Sequence, residues 1–237
     1  VNPVASQKTL ASARRLNPAV LKPAVSPARK KVAGPAAQGQ AAARYLDQHY
    51  RDARTLELAV ASLFDNIVWG VEHAADRAEE QIRLLGLHLG FGSVRPEKED
   101  RDGGPDNLWA LSATRYAVVE LKTDVTRLNP VIVKSEAEQL VHSMTWFSER
   151  YPEVATPTPV LVHPADRLDS QAHVPADTRV ITESHLRALR ADVEAFVKQL
   201  VSGDSWTDPS LVATALARHR LTAEQVIPRH SSKIRRA

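Results

Sequence analysis

No cysteine occurs in the 237 residues. That removes disulfides, thiolate metal sites and cysteine nucleophiles together, and it fits a cytoplasmic protein. There is also no run of about 18 apolar residues, the length a membrane-crossing helix needs. The nine histidines are scattered, with no HExxH and no paired spacing of the kind that holds zinc. Acidic residues are missing from the first forty positions, which carry Lys8, Arg14, Arg15, Lys22, Arg29, Lys30 and Lys31. The basic N-terminus lacks the apolar segment of a secretory signal.

What is present has an ordinary globular composition, 43% hydrophobic and 25% charged. The formal charge of +3 conceals a split. Residues 1–40 carry seven cations, and residues 218–237 carry six against Glu224, so the stretch between is acidic by nine charges. Basic ends on an acidic body suit contact with phosphates at the ends.

Residues 1–41 are rich in Ala, Pro, Lys and Arg with no sustained apolar period, and read as a basic arm or linker. The chain opens on Val rather than Met, so it is expected to be either processed or a piece of something longer. From about residue 42, Val60, Phe64, Ile67, Val71, Ala74, Ala78, Ile82, Leu85 and Leu89 recur three or four apart, predicting a long helix that Gly70 bends or divides. Strand patterns follow at 93–95, 107–111 and 116–122, the last two joined by a loop short enough for an antiparallel hairpin. Ser135 to Glu138 reads as a capping box opening a helix whose buried face is Ala137, Leu140, Val141, Met144 and Phe147. Strands are expected at 159–162 and 179–181, then a helix over about 184–201. The fold class is α/β, a mixed central sheet flanked by helices. The core domain is placed at 42–202, with a basic helical tail at 203–237.

Side chains along Tyr116 to Lys122 alternate between faces. Ala117, Val119 and Leu121 point one way, and Val118, Glu120 and Lys122 the other. Asp106 begins the partner strand just after Gly103-Gly104-Pro105 and can reach the same face. Two carboxylates converging on one point repel unless a cation lies between them. Oxygen ligands without His or Cys favour Mg²⁺ or Mn²⁺. Such an ion polarises a phosphoryl oxygen and activates water, and a neighbouring lysine offsets developing charge. The bland alternative is a surface pair of Glu120 and Lys122 at a strand end.

Pro105-Asp106, thirteen intervening residues, then Glu120-Leu121-Lys122 resembles the signature of the PD-(D/E)XK nucleases. The order of elements over about residues 60–202 is similar to that family's αβββαβ restriction-endonuclease-like core. The resemblance implies that Asp106 and Glu120 bind the metal with the Leu121 carbonyl, and that Lys122 assists the attacking water. It implies a further carboxylate on the preceding helix, Glu79 or Glu80, with Glu79 preferred, and a role for Gln139 on the following one. Ser143 stands where some branches carry Tyr. Gln139, His142, Ser143 and Trp146 are expected to share a face along the cleft.

The wider texture resembles nuclease domains appended to helicases in bacterial restriction and phage-defence systems. The implied substrate is DNA, with RNA left open and no membrane involved. Lys134, Arg29, Lys30 and Lys31 are candidate phosphate contacts, and a second subunit or a fused helicase or ATPase would add others. Two rival readings stand beside this one: a catalytically silent module that binds nucleic acid or a partner, and a structure-specific resolvase that forms a symmetric dimer.

Overall fold

The computed structural model describes residues 9–13, 31–100, 103–154 and 157–236. Packing divides the chain into two units, Val1–Lys31 and Val32–Ala237. In the first, residues 9–13 are helical; Arg29 and Lys30 lie outside the described residues, and Lys31 is exposed.

Three helices occupy the predicted helical stretch, α1 (Gln38–His49), α2 (Ala53–Asp65) and α3 (Ala75–His88), and the expected division at Gly70 lies between the last two. Asp52 starts α2 afresh, its side chain accepting from the Thr55 amide at 2.8 Å. Between α2 and α3, Gly70 and His73 both adopt positive φ (66° and 65°), a left-handed geometry that no right-handed helix can pass through. The apolar spacing survives the breaks because α2 and α3 both turn that stripe onto the same core.

Strands β1 (Gly92–Val94), β2 (Asn107–Ala110) and β3 (Tyr116–Leu121) follow, with a short helix α4 (Pro96–Asp100) between β1 and β2. After β3 come α5 (Lys134–Arg150), β4 (Thr158–Val162), β5 (Arg167–Leu168), β6 (Arg179–Ile181) and α6 (Glu183–Ser202). The chain continues through α7 (Pro209–Arg218), α8 (Val226–Arg229), β7 (Ser232–Lys233) and β8 (Arg235–Arg236). Six strands form one sheet in the order β1-β2-β3-β4-β6-β7. The β1–β2, β2–β3 and β6–β7 pairs are antiparallel, and β3–β4 and β4–β6 are parallel. The mixed sheet flanked by helices is thus present.

The expected alternation along β3 holds. Ala117, Val119 and Leu121 join a large cluster with α1, α2, α3, α6 and α7, while Val118 packs with Leu140 and Phe147 of α5. Helix α6 buries one face, Leu186, Leu189, Val193, Phe196, Val197 and Leu200. Helix α5 departs in two respects. Its cap is made by Glu136, which accepts from the Val133 amide at 2.9 Å, so the box lies two residues before the expected Ser135–Glu138. Val141, assigned to the buried face, is 43% exposed.

The domain limits also shift. Residues 203–237 are not an appended tail, because Val212, Ala215, Leu216, Leu221, Val226 and Ile227 are buried in the main core. Gln38 stitches this segment to α1, donating to Leu89 O (2.8 Å) and Leu221 O (2.9 Å) and accepting from Ala223 N (3.1 Å). At the α1–α7 crossing Gly39 lies so close that a Cβ there would stand 2.6 Å from Pro209 O. Amphipathic spacing at 211–217 marks a helix but not its partner, which lies far back along the chain in α1.

Candidate active site

Asp106 enters β2 from a turn that only glycine builds well. Gly103 and Gly104 have φ of 79° and 122°, and a Cβ on Gly104 would lie 2.9 Å from the Trp146 ring. Asp106, 6% exposed, points its carboxylate across to β3, where Oδ2 accepts from the Leu121 amide at 2.7 Å. Glu120, 4% exposed, lies on the same side, and Ser143 of α5 donates to its Oε1 at 2.6 Å.

The Lys122 ammonium closes the group. Its Nζ lies 3.0 Å from the Leu121 carbonyl, 3.4 Å from Glu120 Oε2 and 3.8 Å from Asp106 Oδ2. These are the three oxygen-bearing groups nominated as metal ligands, and all face one cation. Among the described residues, no three His, Asp or Glu side chains gather into a ready metal cage. The fit for a divalent ion therefore rests on two carboxylates and a carbonyl around a point now screened by an ammonium, an all-oxygen donor set suited to Mg²⁺ or Mn²⁺.

Electrostatics mark the site as strained in charge. Burial, then the Asp106 charge, pushes the Glu120 carboxyl up to about 8, against the pull of Lys122 and Ser143. Burial works against the Lys122 ammonium, but Asp106 and Glu120 outweigh it and hold the group above its usual range.

The two helix carboxylates are placed differently. Burial and the nearby Asp106 charge raise Glu79, whereas Glu80 turns to Arg83 at 2.5 Å. Glu79 is nevertheless committed to the buried Arg95, which also pairs with Asp76 at 2.8 Å. Asn107 donates to the Glu79 carbonyl at 2.9 Å, tying α3 to β2 beside Asp106.

Two expectations about α5 change. Gln139 is exposed, and Ser143, one turn further on, is the α5 residue that reaches Glu120. His142 and Trp146 lie against the Gly103–Gly104 turn. Lys134 is an exposed partner of Glu138 at 3.7 Å, one helical turn along, and is not drawn to the carboxylates. Glu97 of α4 was missed. Although exposed, it stands near enough to Asp106 that partial desolvation, followed by that neighbouring carboxylate, raises its carboxyl. In sequence it is one of several acids in a charged run, and nothing short of the fold of that run singles it out.

No protein-family model, no curated protein and no solved structure matches this chain.

Proposed function

We propose that this chain is a metal-dependent nuclease of the PD-(D/E)XK type, with a restriction-endonuclease-like core, that hydrolyses phosphodiester bonds of DNA. One observation carries the reading: Asp106, Glu120 and the Leu121 carbonyl converge on the single Lys122 ammonium. A Mg²⁺ or Mn²⁺ ion bound by these oxygens supplies a Lewis acid to the phosphoryl group and to the attacking water.

The chain's own residues do the rest. The Leu121 amide fixes Asp106, and the Ser143 hydroxyl fixes Glu120, so neither carboxylate has to reorganise during the reaction. Lys122 offsets negative charge that builds on the phosphoryl oxygens and holds the water by hydrogen bonding. A role in restriction or phage defence, in the cytoplasm, belongs to the same proposal.

The test is a cleavage assay on single- and double-stranded DNA and RNA with Mg²⁺, Mn²⁺ or EDTA. The expected result is metal-dependent cutting of DNA that Asp106→Ala and Lys122→Ala each reduce by about 100-fold or more, the scale of losing one electrostatic contact to the transition state. Activity unchanged in both variants rules the assignment out.

A silent module that keeps this fold is the competing reading, favoured by the Glu79–Arg95 pairing. The two part at metal binding. Calorimetry with Mn²⁺ gives a heat that Asp106→Ala abolishes for a nuclease, and none for the silent module.

A further inference from the structure

The acidic body of this protein is a poor binder of phosphates by itself, yet the structure folds part of the basic C-terminal segment onto it. Strand β8 pairs in parallel with β5, setting Arg235 opposite Arg167 and Arg236 opposite Leu168. All three arginines are exposed. Leu168 is buried and Ile234 partly buried in one cluster, which pins the ribbon to the body.

Like charges directly opposite on paired strands repel. Here the repulsion between Arg167 and Arg235 is only half relieved. Asp166 pairs with Arg235 at 2.8 Å; among the described residues no carboxylate pairs with Arg167 or Arg236. Successive strand residues face opposite ways, so Arg167 and Arg235 share one face of the ribbon while Arg236 projects from the face of Leu168 and Ile234. Two exposed guanidiniums side by side match the oxygens of phosphates.

The ribbon is also joined to the candidate active site by a short, braced path. Loop 123–131 leaves directly from Lys122 and ends at Ile132, which bridges to Leu168 of β5. The Ile132 amide donates to Arg167 O at 2.8 Å, and the Asp169 amide to Ile132 O at 3.0 Å. Within the loop, Arg127 donates to Val131 O (3.1 Å) and to Glu136 (2.8 and 3.1 Å). The fully buried His163 stands 3.4 Å from the same carboxylate. Loop and ribbon both lie beyond the carboxyl ends of the parallel strands β3 and β4, the edge where open α/β sheets bind ligands.

We infer that the Arg167–Arg235 face of the β5–β8 ribbon is a phosphate-binding ridge, and that these two arginines hold the backbone of double-stranded DNA as it runs toward Lys122. The inference deepens the nuclease reading and rests on it for the substrate. The contacts read no sequence; they supply affinity and register.

The test is fluorescence anisotropy of a labelled 20-base-pair DNA duplex, titrated in EDTA over a range of salt concentrations. Arg167→Gln leaves the Asp166–Arg235 pair intact and alters only an exposed side chain, so the fold is retained. Each lost phosphate contact lowers the salt slope by about 0.9. Arg167→Gln is expected to lose about 0.9 from that slope and to bind about fivefold more weakly at moderate salt. Arg236→Gln removes the same charge from the other face of the ribbon and is expected to keep the slope.

An unchanged slope in the ridge variant, in a protein that cleaves DNA, overturns the ridge alone. An equal loss in both variants overturns it too, because net charge would then suffice. A wild-type chain that shows the ridge-dependent slope but cuts nothing overturns the catalytic reading and leaves the ridge standing.

Discussion

Replacing Glu120 by glutamine isolates the electrostatic cost of the site, and the structure gives its size and sign. In the unfolded chain this carboxyl titrates near 4.5, and in the folded protein near 8, chiefly because of burial and then Asp106. The folded state therefore binds more protons between those values. Its stabilisation is complete below about pH 4.5 and is lost as pH rises through about 8. One pKa unit corresponds to about 1.36 kcal/mol, so the wild-type protein should lose about 4 kcal/mol from this group between about pH 5 and pH 8.5.

The Glu120→Gln side chain cannot ionise and keeps an oxygen for the Ser143 hydroxyl. Urea denaturation in EDTA at half-unit pH steps measures both proteins. The expected outcome is a wild-type curve that falls with pH and a variant curve flatter by several kcal/mol over that range. Adding Mg²⁺ near pH 8 should restore much of the wild-type loss, since a cation between the carboxylates removes its cause, and should leave Glu120→Gln little changed. Parallel pH curves for the two proteins would refute the reasoning, because Glu120 would then be an ordinary solvated carboxylate in solution.

Two other substitutions probe what positions the site. Ser143→Ala removes the hydroxyl that favours the ionised Glu120. Cleavage near pH 7 should fall about tenfold, the equivalent of one hydrogen bond of about 1.4 kcal/mol, with recovery as pH is raised; a pH-independent loss would contradict it. Gly39→Ala sets two effects against each other. Helix propensity favours alanine by about 1 kcal/mol, but the new Cβ would stand 2.6 Å from Pro209 O and from Ala213 Cβ. Overpacking of that kind costs about 1–3 kcal/mol, so the midpoint of denaturation should fall; a rise would show that α7 slides freely along α1.

The β-rich part of the fold was legible because its signals are local. A period of two along Tyr116 to Lys122 separates two faces whatever surrounds them, and the short loop before it leaves a hairpin as the natural connection. The same pattern placed Asp106, Glu120 and Lys122 on one side. The helices were legible in composition and, at Gly70, in their division, but the break before Asp52 lies ahead of the apolar stripe that begins at Val60 and left no mark in its period. Leucine and valine at 211–227 advertised burial, yet the chain carries no mark that their partners lie in α1.

By itself the sequence determined the strand faces, the carboxylate–lysine constellation and the uneven distribution of charge, all of which follow from residue type and spacing along one backbone. Only the tertiary structure decided that Glu79 answers to Arg95, that Ser143 rather than Gln139 meets Glu120, that Glu97 leans on Asp106, and that the last arginines return to β5. The physical reason is the same in each case. Hydrogen bonds and charge pairs act over a few ångströms in space, and groups well separated along the chain, as Arg167 is from Arg235, come within that range only once the core has packed.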